Sequence, residues 1–143
     1  MKYIFIINPV AGQRKHHSLL NEIEDAFIKG NCPKSYVKLE TTSIGDAYYK
    51  TLEALTTYQD DCVIVACGGD GTVNEVVRAV VNHKSPLLFL PFGTGNDLAK
   101  KIYGAKFNLR NIVEKFGFLT GNPNIMTKNV DLVRLNDTYF INV

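Results

Sequence analysis

Cys62-Val63-Ile64-Val65-Ala66-Cys67-Gly68-Gly69-Asp70-Gly71-Thr72 is the stretch that decides the architecture of this chain. Six apolar residues without a polar interruption read as a strand buried on both faces. Three glycines and an aspartate then turn the chain. Beyond them Val73, Val76, Val77 and Val80 recur at helix spacing, which predicts a helix over 72–82 with this stripe as core. A strand, a glycine turn and a helix start together make an anion site. Glycine lets the backbone approach closely, and the helix N-terminus offers free N–H groups and a partial positive charge.

The unit occurs twice. Leu87-Leu88-Phe89-Leu90-Pro91 is a second apolar run, and Gly93-Thr94-Gly95-Asn96-Asp97 follows it. Two such turns at the same end of one sheet point to a nucleotide. The acidic residue in each turn points to Mg²⁺ beside it.

Outward from these turns, strand and helix patterns alternate. Residues 2–7 are an apolar, β-rich run ended by Asn8-Pro9, and 8–14 read as a loop. Between 15 and 29, Leu19, Leu20, Ile23, Ala26 and Phe27 have helix spacing, stopped by Gly30-Asn31-Cys32-Pro33. Residues 36–40 read as a short strand and 44–58 as a helix. Helices are also expected at 96–103 and 109–118. Residues 131–135 and 138–143 flank Asn136-Asp137, a hairpin signal without a glycine in the turn. The order βαβαβαβ plus hairpin predicts an α/β fold, a Rossmann-like parallel sheet flanked by helices. The chain stops inside an apolar strand, which leads us to expect that a longer protein has been cut.

Composition narrows the classes. At 143 residues, with 45% apolar and 21% charged residues, this is one ordinary globular domain. A formal net charge of +2 gives no argument for a nucleic-acid partner. No run approaches the roughly 20 apolar residues of a membrane span, and no signal peptide is visible. The three cysteines, Cys32, Cys62 and Cys67, lack metal-ligand spacing. Cys62 and Cys67 fall on opposite faces of one strand, so the reading is reduced thiols in a cytoplasmic chain. His16, His17 and His83 read as surface residues. Lys100, Lys101, Lys106, Arg110 and Lys115 read as an ordinary solvated face that can also meet anionic lipid, each charge being worth at most about 1 kcal/mol there.

In an open parallel sheet, ligands sit beyond the carboxyl ends of the strands. Residues 8–12, 68–72 and 91–97 occupy that edge. Gly68, Gly69 and Gly71 suit close phosphate approach. Asp70 can hold Mg²⁺, directly or through water, or orient a nucleophile. Thr72 can donate its hydroxyl, and Asn74 and Glu75 lie within reach on the next helical turn. Thr94 offers another hydroxyl, while Asn96 or Asp97 can cap a helix. Each glycine turn alone is also an ordinary connection, and Asp97 can be a cap and nothing more. There is no Gly-x-x-x-x-Gly-Lys-Ser/Thr sequence, and Leu98 stands where a dinucleotide fingerprint needs its third glycine.

Gly68-Gly69-Asp70-Gly71-Thr72-Val73-Asn74-Glu75-Val76-Val77 resembles the nucleotide-binding signature of the diacylglycerol kinase catalytic domain family. Its Gly-Gly-Asp-Gly core is shared with NAD kinases and 6-phosphofructokinases. Pro91-Phe92-Gly93-Thr94-Gly95-Asn96-Asp97-Leu98-Ala99 is similar to a second motif of the lipid kinases, and Asn8-Pro9-Val10-Ala11-Gly12 to the first. The resemblance implies ATP-dependent phosphorylation of a lipid hydroxyl at a membrane surface, with ATP and Mg²⁺ as cofactors. It implies ATP contacts at Asn8, Pro9, Val10, Ala11, Gly12, Thr41, Gly68, Gly69, Gly71, Thr72, Val73, Asn74, Glu75, Gly93, Thr94, Asn96 and Asp97. Asp70 would serve Mg²⁺ or the phosphoryl transfer. The lipid site and the base are expected largely in the absent β-rich domain, so the isolated chain is expected to be inactive. An NAD kinase-like enzyme and a non-catalytic nucleotide-binding module are the rival readings.

Overall fold

The central strands pair as their apolar patterns require. A computed structural model describes residues 2–12, 21, 36–59, 61–108, 111–112 and 127–141. Four strands, β1 (Lys2–Ile7), β2 (Tyr36–Glu40), β3 (Cys62–Gly68) and β4 (Leu87–Pro91), form one sheet in the order β2-β1-β3-β4. All three pairings are parallel, with Ile7 opposite Glu40 and Cys67, and Gly68 opposite Pro91. The chain goes to one side of β1 for β2 and to the other side for β3. Strand order therefore reverses between β1 and β3, and their carboxyl ends flank a topological switch point.

Side chains alternate across the sheet as strand geometry demands. Ile4, Ile6, Cys62, Ile64 and Ala66 bury on one face, against three helices: α1 (Asp46–Tyr58), α2 (Asp70–Val80) and α3 (Asp97–Tyr103). Tyr3, Phe5, Ile7, Val63, Val65 and Cys67 bury on the other face with Leu90 and Phe92. Ile4, Ile64 and Leu55 are wholly or almost wholly buried, each worth about 1.5–3 kcal/mol of transfer free energy. The α/β class, the parallel sheet and its flanking helices are thus as the sequence predicts. Cys62 and Cys67 are buried on opposite faces of β3, with the Cys62 Sγ 3.5 Å from Ser85 Oγ.

Boundaries shift where backbone conformation overrides side-chain pattern. The helix expected at 72–82 starts two residues earlier, at Asp70, because Gly69 is extended and acts as the cap. It ends at Val80, and Asn82 lies in the left-handed region at φ 73°. Gly45, at φ 89°, delays α1 to Asp46, and Asn96, at φ 50°, delays α3 to Asp97. The hairpin forms from β5 (Val133–Leu135), which starts two residues later than expected, and β6 (Thr138–Phe140); residues 142–143 of the second expected strand lie outside the described residues. Left-handed Asn136, at φ 54°, makes its turn without glycine. The helices expected at 15–29 and 109–118 lie outside the described residues except for Asn21 and residues 111–112, which are helical. Arg14, Lys15, His16, His17, Cys32, Arg110 and Lys115 also lie outside them, while His83, Lys100, Lys101 and Lys106 are exposed.

Candidate functional site

The two glycine turns touch. A Cβ built on Gly93 would fall 2.6 Å from the Gly69 Cα, closer than real Cβ atoms approach, so only backbone without side chains can meet there. Gly68 is equally confined, since a Cβ there would lie 2.6 Å from Thr72 Cβ. These contacts put residues 68–72 and 93–97 side by side at the carboxyl edge of β3 and β4.

Asp70 joins the turns electrostatically. Its Oδ2 accepts the N–H of Asp97 at 3.1 Å and its Oδ1 the N–H of Leu98 at 3.3 Å. The carboxylate thus satisfies two of the free donors of α3, where negative charge is favourable. Asn8 joins the third loop. Its N–H donates to the Cys67 carbonyl at 2.9 Å, and its side-chain Nδ2 to Thr72 Oγ1 at 3.2 Å. Asn8 Oδ1 in turn accepts the Val10 N–H at 3.1 Å, which bends the 8–12 loop over the edge of β1. Sequence-predicted residues Asn8, Gly69, Asp70, Thr72, Gly93 and Asp97 are therefore one connected group. Pro9, Val10 and Gly12 are exposed at its rim, as are Gly71 and Thr94.

The other side chains of α2 act as ties between elements. Glu75 accepts the N–H groups of Gly45 at 2.9 Å and Ala47 at 3.2 Å, and so caps α1 from a neighbouring helix. Asn74 Nδ2 donates to the Asp70 carbonyl at 3.1 Å, and its Oδ1 accepts the Ile141 N–H at 3.1 Å beyond the hairpin. Val73 is fully buried and turns its side chain into the core. Thr41 is fixed by its N–H, which donates to the Ile7 carbonyl at 2.8 Å, so the 41–45 loop stands at the same edge, after β2. Asp46 Oδ2 accepts the Thr42 N–H at 2.8 Å, and this bond, ahead of Lys50 nearby, holds its carboxyl below the ordinary 3.8. Asn96 Nδ2 donates to the Gly93 carbonyl, and Asn96 Oδ1 is buried with no partner among the described residues.

Carboxylates thus close the N-termini of α1 and α3. The N-cap of α2 is Gly69, which has no side chain to cap the first N–H groups of that helix. A Cβ on Gly71 would meet nothing within 4 Å, so the space over that first turn is open. The arrangement offers backbone donors to an anion with a carboxylate beside them. Among the described residues no group of three His, Cys, Asp or Glu is placed to hold a metal. Asp70 is the carboxylate between the turns, while Asp97 is exposed and pairs with Lys100 at 3.1 Å. Such a donor set fits Mg²⁺ held by one carboxylate with water and phosphate oxygens completing the shell, the usual state of that ion. The sequence located these residues but not the ties that Glu75, Asn74 and Asp70 make; only their spacing on α2, 70/74 and 72/75, hinted that they share a helix face.

Comparison with known proteins agrees with the fold. The family model of the diacylglycerol kinase catalytic domain matches residues 2–122. A diacylglycerol kinase of Staphylococcus aureus (strain MRSA252) is 32% identical over 144 residues, taking in 96% of this chain and 41% of that protein. One from Bacillus subtilis (strain 168) is 29% identical over 140 residues, 96% of this chain and 43% of that protein. The crystal structure of a diacylglycerol kinase from Bacillus anthracis str. Sterne superposes with a TM-score of 0.75 at 30% identity, covering 99% of this chain and 48% of that one. The chain spans about two-fifths of the length of the curated relatives it matches.

Proposed function

The chain belongs to the diacylglycerol kinase catalytic domain family, and from that premise we propose that it supplies the ATP and Mg²⁺ site of a lipid kinase. The observation that carries the reading is the backbone contact of Gly69 with Gly93, beside the start of α2, where the N-cap is a glycine. Neither turn alone argues for a ligand. Together they present donors and one carboxylate at the switch point of the sheet, where nucleotides bind in α/β folds.

In this reading the backbone at residues 69–72 takes phosphate oxygens, with residues 8–12, Thr41, Gly93 and Thr94 around it. Bound Mg²⁺ neutralises charge on the transferred phosphoryl group, and Asp70 is the residue that would hold it. Phosphoryl transfer asks the protein for positioning more than for covalent help. The rigid ties of Asn8 to Thr72 and of Asp70 to α3 meet that demand, because they fix three loops relative to one another. The acceptor is a lipid hydroxyl such as that of diacylglycerol, reached from the cytoplasmic side by peripheral docking. No helix among the described residues is long and apolar enough to cross a membrane.

The test is transfer of labelled phosphate from ATP by the full-length product of the gene. Diacylglycerol, a sphingoid base and NAD are offered as acceptors in mixed micelles. Label in a lipid supports the proposal. Label in NAD alone replaces it with an NAD kinase, and ATP binding without transfer to any acceptor replaces it with a non-catalytic nucleotide module.

A further inference from the structure

We infer that Glu75 is a positioning residue: it sets the 41–45 loop against the nucleotide site and touches neither nucleotide nor metal. The inference rests on the nucleotide-site reading above and says which of the neighbouring acidic residues acts at a distance. Both oxygens of Glu75 face the start of α1, one on the Gly45 N–H at 2.9 Å and the other on the Ala47 N–H at 3.2 Å. The Asp46 N–H between them is taken by the Ser43 carbonyl at 3.3 Å. The donors at this helix start are therefore satisfied from within the protein, and a part-buried carboxylate compensates the positive end of the helix.

The clamp is needed because the loop it holds is poorly held otherwise. Gly45 sits at φ 89°, Ile44 is 99% exposed, and Ser43 is exposed beside it. Among the described residues, Thr41 N–H on the Ile7 carbonyl ties the loop to β1, while the Thr42–Asp46, Asp46–Ser43 and Tyr48–Gly45 bonds are local to residues 42–48. Glu75 supplies the downstream anchor, and it does so from α2, the helix whose start forms the phosphate site. One rigid element thereby carries both the phosphate donors and the register of the 41–45 loop.

The test uses Glu75→Gln, Glu75→Ala and Gly45→Ala in the full-length protein. ATP affinity is read by calorimetry with Mg²⁺ present, and amide exchange at Gly45 and Ala47 is read by NMR. Glutamine keeps one acceptor for two donors and alanine keeps none. We expect exchange at both amides to quicken and ATP affinity to fall in step, several-fold for Gln and more than tenfold for Ala. The Mg²⁺ concentration giving half-maximal turnover is expected to stay put. Gly45→Ala loosens the same loop through its backbone, because φ 89° strains any side chain there although its Cβ would meet nothing within 4 Å, and should lower ATP affinity alike. A shifted Mg²⁺ requirement in Glu75→Gln, or lost affinity with unchanged amide exchange, overturns the inference in favour of direct ligation. So does Gly45→Ala binding ATP as the parent does. A parent protein that binds no ATP defeats the lipid-kinase reading instead, and the clamp is then judged on the exchange rates of Gly45 and Ala47.

Discussion

Gly69 and Gly93 meet backbone to backbone, so closely that a methyl group on Gly93 would stand 2.6 Å from the Gly69 Cα. Gly93→Ala must push the two turns apart. We expect a stability loss of about 1–3 kcal/mol, the usual cost of overpacking, and at least a tenfold loss of ATP affinity. Gly71→Ala is the contrasting case, because its Cβ points into open space. It should leave the urea midpoint where it was while still weakening ATP binding, since the methyl group intrudes where phosphate approaches. Equal midpoints for Gly93→Ala and the parent would refute the contact.

Asp70 has two duties in this reading, and they separate experimentally. Asp70→Asn leaves one acceptor for the N–H groups of Asp97 and Leu98, so the start of α3 loosens by about 1 kcal/mol, the scale of a lost cap. Loss of the negative charge should raise the Mg²⁺ requirement for turnover as well. Denaturation reads the first effect and a Mg²⁺ titration at saturating ATP the second. A variant less stable than the parent but unchanged in its Mg²⁺ curve would leave Asp70 as a cap alone.

The apolar runs at 2–7, 62–67 and 87–90 made the parallel sheet legible, since uninterrupted β-rich stretches between helix patterns have few other arrangements. Gly68, Gly69, Gly71 and Gly93 marked the edge where the loops gather. What could not be read was the use of side chains within that edge. Asn74 and Glu75 look like ligand groups in sequence because polar residues beside a glycine turn usually face outward. Here they bond to Ile141, Gly45 and Ala47, residues 28 to 67 positions away, and such pairings depend on how helices pack. Element ends were missed for a local reason, the left-handed backbone at Gly45, Asn96 and Asn136, which periodicity of apolar residues does not encode.

Burial gives a prediction about thiol chemistry. Cys62 and Cys67 are fully buried, and desolvation pushes the Cys67 thiol up, far from thiolate formation at neutral pH. In a Cys32→Ser background, neither should react with a disulfide reagent until denaturant is added, and both should then react together as the sheet opens. Reaction of either thiol in native buffer would contradict their place in the core.

Asn74 ties the start of α2 to the chain beyond the hairpin, through Oδ1 on the Ile141 N–H. Asn74→Ala removes that acceptor, and the Ile141 amide should exchange faster by an order of magnitude, with little change in β3 amides. Asn74→Asp keeps the acceptor and should retain most of the protection.

Asp46 sets the response of the 41–45 loop to acid. The Thr42 N–H bonded to its carboxylate is the main cause of its lowered pKa, with the Thr42 hydroxyl and Lys50 adding to it against some desolvation. A carboxyl whose pKa is depressed in the folded chain binds protons more readily when unfolded. Its support is therefore present above the unfolded value near 3.8 and disappears as pH falls through the lower folded value. The ATP affinity of the parent should hold steady down to about pH 5 as far as this group is concerned. In Asp46→Asn the Thr42 amide should already exchange quickly at neutral pH, as it does in the parent only in strong acid. Carboxyl-carbon NMR checks the premise directly: the Asp46 midpoint must fall below 3.8, and a midpoint at or above that value would remove the bond to Thr42 from the account of how this loop is held.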